Sequence, residues 1–449
     1  MSSTTATAPP APLESVPGPL PRFRFVALGV VWSAYLVVFL SRLCVGPLSP
    51  FLKQAFDLSN AQIGGLTSAT AITYAPTLVL AGLLVDRIGV RRALIIGSLV
   101  TGAFVGAVAL APSYGVMLLL LALSGLGCGF IYPSAVKAVM LWFPPQERAT
   151  AIGVNQAAVN VSGMLGAAIM PALALAAGWQ AGFLVAAAMA FVVCGLAAAV
   201  YRDPVGGIPG RAAAAASPAV CEIEQGLPCV TGDEQADRAA LRPGFLAVVR
   251  SRDILLLGAS AMFLCMIEFA ALAHLVLFLH LDWGYSVVAA AGLLALCQAA
   301  GAFGKPLSGL ASDRLLGRRR KAPLLALAGL AGVSCALLAV LGPGHTWLLW
   351  AALGMLGVGA VGWGGLFSTL AGETAGPAAA GAAAGVTAAI DNVGIFIGPP
   401  LFGLIVDRTG SYAPAWWAMA VSVSHRRATI GVWSGMKKRE SIQVRWSLR

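Results

Sequence analysis

Gly82-Leu83-Leu84-Val85-Asp86-Arg87-Ile88-Gly89-Val90-Arg91-Arg92 separates two apolar runs, residues 61–85 and 93–111. A hydrocarbon layer of about 30 Å needs about 20 helical residues at a 1.5 Å rise, so each run can cross a bilayer. A chain that leaves one such run through an acid, a glycine and a basic cluster, and enters the next at once, is turning at a membrane surface. The glycine gives the turn its conformational freedom, and the arginines belong among headgroups. Asp86 stands where a carboxylate can cap or pair across helix ends.

Working outward, apolar runs recur at 25–47, 115–142, 150–177, 180–200, 253–281, 287–311, 322–341, 346–371 and 380–404, with a shorter one at 412–424. The chain is 59% hydrophobic and 10% charged, against roughly 25% charged residues in soluble domains. The predicted fold is an all-α integral membrane protein of twelve transmembrane helices. A net charge of +11 raises the question of a nucleic-acid partner. Its distribution answers no: with a cytoplasmic N-terminus, only Lys53 and Arg408 of the 29 Lys and Arg fall in outside loops, the positive-inside pattern. Arg42, Lys137 and Lys305 lie in apolar runs, and the two lysines, near cytoplasmic helix ends, are expected to snorkel. Cys44, Cys128, Cys194, Cys221, Cys229, Cys265, Cys297 and Cys335 show neither CxxC spacing nor neighbouring histidines. No disulfide framework, metal site, phosphate-binding loop or catalytic triad is expected, and no cofactor or obligate protein partner. The chain reads as a non-enzyme.

The expected organisation is a disordered cytoplasmic tail over 1–24, a six-helix half over 25–200, a cytoplasmic linker over 201–252, a second six-helix half over 253–427 and a basic tail over 428–449. His425, Arg426 and Arg427 interrupt the last apolar run, so that helix is either short or its end is altered, as a frameshift would alter it. The two halves are related. A shift of 227 positions lays Phe51-Leu52, Ser59, Gly65-Leu66, Gly82, Asp86 and Arg87 on Phe278-Leu279, Ser286, Gly292-Leu293, Gly309, Asp313 and Arg314. A shift of 232 lays Gly153-Val154, Asn160-Val161 and Gly166 on Gly385-Val386, Asn392-Val393 and Gly398. Two six-helix pseudo-repeats are the build of a parallel-repeat transporter, with its solute site near the midplane between them.

The Gly82–Arg92 loop resembles the signature loop of the major facilitator superfamily, and a degenerate copy follows from Gly309 to Arg320. Gly82, Asp86, Arg87, Gly89, Arg91, Arg92, Asp313 and Arg314 would then form a latch that holds one conformation and releases it. Trp142-Phe143-Pro144 with Glu147-Arg148, and Gly403 to Tyr412, also look like this superfamily, and the resemblance covers roughly residues 25 to 424. It implies a secondary active transporter working by alternating access in a bacterial inner membrane, both termini cytoplasmic.

Within the superfamily, Tyr35 to Leu52 resembles the first helix of the organic anion symporters and of the glycerol-3-phosphate transporter, where an arginine eight residues ahead of a proline binds the anion. Here the pair is Arg42 and Pro50. An arginine in hydrocarbon costs about 2.5 to 3.5 kcal/mol on insertion scales, so it is expected either to face a cavity or to snorkel. The phosphate-ester carriers hold a second arginine in the seventh helix. The repeat places Phe269 there, with Glu268 beside it, which favours a singly charged carboxylate substrate over a phosphate. Tyr35, Tyr74, Tyr132, Asn155, Asn160, Gln298 and Trp363, with Gln156, either line the cavity or serve packing and helix–helix bonding. Glu268, Asp391 and His274 are the ionisable groups available for proton coupling. Glu268 and His274 are six residues apart, about 240° around a helix, and do not pair directly. The expected partners are therefore a small organic anion, protons and the lipid bilayer. Two other readings stay open: an exporter of drugs or metabolites, and a transporter-like membrane sensor or scaffold.

Overall fold

The structure is a computed structural model describing residues 22–203, 248–312, 321–375 and 380–424. Among these, the chain folds into twelve helical elements and no strands. They are α1 (Phe23–Phe56), α2 (Asn60–Ile88), α3 (Val90–Val108), α4 (Tyr114–Trp142), α5 (Pro145–Ala177) and α6 (Trp179–Ala199). The second six are α7 (Arg252–Asp282), α8 (Val287–Leu310), α9 (Lys321–Val340), α10 (Thr346–Ala375), α11 (Ala380–Thr409) and α12 (Ala413–Ser424). Ten helices are long and apolar enough to cross a membrane. Large apolar side chains such as Leu80, Leu119, Val192, Phe303, Val340 and Trp347 stay exposed around the bundle, an outer surface that only lipid would cover. The tail before residue 22, the linker over 204–247, the latch residues Asp313 and Arg314, and the chain from His425 onward lie outside the described residues.

Two helices run further than the sequence predicts. The first continues past Cys44 to Phe56, because Pro47 falls in the first turn of the resumed helix, where its missing N–H has no partner to lose. The eleventh runs to Thr409 through the stretch expected to be loop, and ends at Gly410 with φ 68°, a left-handed turn suited to glycine. Single-turn π-helical segments, Phe278–Asp282 and Gly357–Val361, interrupt the order in α7 and α10. The second lies just before Trp363, and such bulges re-aim the side chains after them.

The Gly82–Arg92 loop folds as a one-residue hinge. Gly89, at φ 87°, ends α2 and starts α3. The N-terminus of α3 is capped from the far end of the half: the Asp203 carboxylate accepts from Val90 N at 3.2 Å and Arg91 N at 3.4 and 3.3 Å. Arg91 also donates from Nη2 to the Ala198 carbonyl. Lys137 Nζ donates to Val85 O at 2.8 Å, in the last turn of α2, a carbonyl that also accepts from Gly89 N at 3.1 Å. Arg148 serves the end of α4 in the same way, donating to Met140 O and Phe143 O, both at 3.0 Å. Arg24 pairs with Glu147 at 3.0 Å, tying α1 to α5. This is the basic end of the bundle.

The halves meet tightly at the opposite end. One apolar core there joins Leu48, Ile63 and Leu66 of the first half to Leu275, Phe402 and Trp416 of the second, whereas the core around Leu94, Ile131 and Trp142 at the basic end belongs to the first half alone. Glycines report the same asymmetry. A methyl group on Gly46 would overlap the Leu272 carbonyl, one on Gly64 the Pro399 carbonyl and one on Gly403 the Asn60 carbonyl, so backbones of the two halves touch. At the basic end, Gly82, Gly153, Gly309 and Gly385 meet nothing within 4 Å. The two halves are packed together at the far end, while these four basic-end glycines face open space.

Candidate functional site

Arg42 lies in the midsection of α1, near the break at Cys44, and is 4% exposed. Its guanidinium rests 4.3 Å from the Tyr74 ring centroid, 5.3 Å from Phe39 and 5.9 Å from Phe269. Among the described residues no carboxylate lies within ion-pair distance of it. Nε and Nη2 are buried with no hydrogen-bond partner. The side chain is enclosed by the bundle rather than turned out to its surface. Aromatic faces orient the guanidinium plane but satisfy none of its N–H donors. Buried unpaired cations are costly, and one held open in this way is a ready partner for an oxyanion.

The surroundings come from both halves. Tyr35 donates to Gln156 Oε1 at 3.0 Å, linking α1 to α5, and its ring centroid lies 6.4 Å from that of Tyr132. Tyr132 is 37% exposed, whereas Tyr35 and Tyr74 are buried. From the second half, Glu268 stands one residue before Phe269, and its Oε2 accepts from Trp363 Nε1 at 3.4 Å. Glu268 is within electrostatic range of Arg42, Lys305 and Asp391, and Asp391 is within range of Arg42. The Asp391 carboxylate accepts from Asn392 Nδ2 at 3.1 Å, and the same amide donates to Ala388 O. Asn155, Asn160 and Gln298 are buried, and Asn155 Oδ1, Asn160 Nδ2 and Gln298 Oε1 lack partners.

The structure therefore gathers Arg42, Tyr35, Tyr74, Tyr132, Glu268, Trp363 and Asp391 around one midplane region. His274 is not part of it. Its ring is fully buried between α7 and α11, with Nε2 2.9 Å from Pro399 O and the ring stacked on Phe402 at 4.9 Å.

Asp407, within the superfamily-like Gly403–Tyr412 stretch, joins Asn60 and Lys53 at the far end, a pairing the sequence did not signal. The Asp407 carboxylate, on α11, accepts from Asn60 N at 2.9 Å, Asn60 Nδ2 at 2.8 Å and Ala61 N at 2.8 Å. Asn60 Oδ1 in turn accepts from Lys53 Nζ at 2.7 Å and Tyr412 Oη at 3.4 Å. A carboxylate of one half thus caps the first helical turn of the other, where N–H groups are unsatisfied and the helix dipole favours an anion. Ser68 adds a further cross-half bond, donating to Ile395 O at 2.8 Å.

With twelve helices in two related halves packed together at one end and a cation buried in the bundle, the architecture suits an alternating-access carrier, and the sequence profile of the Major Facilitator Superfamily matches residues 31–399. The chain belongs to that superfamily. It is 30% identical over 395 residues to an "Uncharacterized MFS-type transporter" of Mycobacterium tuberculosis, covering 87% of this chain and 80% of that one. It is 28% identical over 180 residues to a "Probable sulfoacetate transporter" of Cupriavidus necator, a match spanning 40% of this chain and 42% of that protein. A solved structure, a bacterial homolog of the human lysosomal transporter Spinster in an inward-facing, occupied conformation, superposes with a TM-score of 0.72 at 18% identity, covering 94% of this chain and 98% of that one. At that identity the likeness concerns the fold alone. As a superfamily member the chain is an integral membrane transporter.

Proposed function

We propose that this transporter carries a small organic carboxylate, coupled to protons, with Arg42 holding the anion. The observation that carries the reading is the Arg42 guanidinium, buried against three aromatic rings with Nε and Nη2 unpartnered. A cationic or purely apolar solute would leave those N–H donors without an acceptor in the protein interior. Likeness to a probable sulfoacetate transporter supports an anion.

Tyr35, Tyr74 and Tyr132 form the aromatic wall, and Trp363, Asn155, Asn160 and Gln298 supply polar contacts. Glu268 and Asp391 are the proton-carrying groups: both lie within range of the bound anion's counter-charge, so a proton on either offsets the charge the substrate brings. His274, spent on a helix–helix bond, is the weaker candidate. The protein sits in the bacterial inner membrane with its basic end and termini in the cytoplasm, and the present conformer opens inward. Gly82, Asp86, Arg87, Gly89, Arg91 and Arg92, with Asp313 and Arg314, act as the latch at that end.

The test is thermal stabilisation of the purified protein by carboxylates, phosphates, sugars and cationic drugs, for wild type and Arg42→Gln. Stabilisation by carboxylates that vanishes in the variant is the expected result. Stabilisation only by cations or neutral compounds, equal in both proteins, refutes the reading and points to an exporter.

A further inference from the structure

From its place near the end of an apolar helix, Lys305 reads as a snorkelling residue. The structure places it otherwise. Lys305 lies five residues before the end of α8, yet its Nζ reaches away from that end and donates to Asn160 Oδ1 at 3.1 Å. Asn160 is fifteen residues into α5, about 22 Å along it at 1.5 Å per residue, close to mid-membrane, and belongs to the opposite half. The ammonium has three donors and one acceptor here, and among the described residues no carboxylate lies within ion-pair distance. Glu268 is in electrostatic range, but its Oε2 is taken by the Trp363 indole. Around Lys305 further polar atoms stand unused. Gln298, two turns earlier on the same face of α8, has Oε1 buried without a partner, and Asn160 keeps an unpartnered Nδ2. The two helices press together at this seam, since a methyl on Gly163 of α5 would run into the Gln298 amide.

We infer that Lys305 is a second substrate-binding cation, contributed by the C-terminal half, and that the substrate is a small acid with a second anionic group at its other end. The inference rests on the proposal that Arg42 binds a carboxylate. The first group sits on Arg42 of the N-terminal half. The second takes Lys305 from Asn160, with the free Asn160 Nδ2 as an additional donor. A bifunctional acid thereby bridges the two halves, and Asn160 stands in for it in the empty carrier. The phosphate-ester pattern of two arginines is absent, yet the site still presents two cations, from α1 and α8.

The experiment is a titration of thermal stability with two-, three- and four-carbon dicarboxylates against the matched monocarboxylates, on wild type, Lys305→Gln, Lys305→Arg and Arg42→Gln. Wild type should bind one of the diacids about tenfold more tightly than its monoacid partner, the worth of one charge-assisted hydrogen bond. Lys305→Gln should abolish that preference while leaving monoacid affinity unchanged, and Lys305→Arg should keep it. Equal binding of both series by wild type overturns the inference, and needs no variant to fold. A parallel loss of both series in Lys305→Gln also overturns it. Arg42→Gln distinguishes the underlying reading: if that variant binds both series normally, the Arg42 proposal fails, whatever Lys305 does.

Discussion

Replacing Asp407 by alanine removes the single carboxylate that caps α2 from the opposite half, with its three hydrogen bonds from Asn60 N, Asn60 Nδ2 and Ala61 N. A helix N-cap contributes about 0.5–2 kcal/mol. Asp407 is exposed, so screening by water places the expected loss at about 1–2 kcal/mol rather than at the sum of three charge-assisted bonds. Those contacts exist only while the far end is closed. Their loss therefore changes the ratio of the two conformers about 5- to 30-fold toward the state open at the far end. Spin labels at Gln54 on α1 and Arg408 on α11, in a cysteine-free background, report that end directly. In wild type the short distance dominates; in Asp407→Ala a second, longer population should become visible, with Asp407→Asn intermediate because its amide oxygen still accepts. A folded Asp407→Ala protein whose distance distribution matches wild type would refute the idea that this cap holds the halves together.

Other substitutions should behave as follows. Arg42→Leu should raise the melting temperature of the empty protein by a few degrees while abolishing carboxylate stabilisation, since it removes a buried unpaired charge; a fall in melting temperature would mean the arginine is satisfied. Gly403→Ala should drive the far end apart or destabilise the protein by about 1–3 kcal/mol, because its methyl overlaps the Asn60 carbonyl, and chemical denaturation together with labelling of that end would read either result. Gly385→Leu should fold normally, because a Cβ added there meets no atom within 4 Å, yet abolish transport by blocking closure of the basic end; normal turnover would show that the basic end never closes there. Glu268→Gln should keep substrate exchange but lose accumulation driven by a pH gradient, measured as labelled uptake in vesicles; retained gradient-driven accumulation would exclude Glu268 as the proton carrier.

The fold was legible because each of its causes is local. Apolar runs of membrane length give the helices, and the Gly82–Arg92 turn with its degenerate copy gives the paired halves. Arg42 was legible as well, since a charge inside an apolar run needs a reason wherever it occurs. The helix extensions were not, because the apolar runs end at 47 and 404 while the helices continue to Phe56 and Thr409 through more polar residues. The far-end contact was not legible for a deeper reason: Asp407 lies in the superfamily-like Gly403–Tyr412 stretch, but its partner Asn60 is 347 positions away and nothing local joins the two. Lys305 and Lys137 looked alike in sequence, each a lysine near a helix end. Only their acceptors, a side-chain amide of the other half and a helix-terminal carbonyl of the same half, separate them.

The central claim is transport of a carboxylate held by Arg42, and the most direct measurement is uptake of labelled small carboxylates into proteoliposomes under an imposed pH gradient. The account predicts concentrative uptake by wild type that collapses when the gradient is dissipated and is absent in Arg42→Gln. Equal uptake by wild type and Arg42→Gln would contradict it.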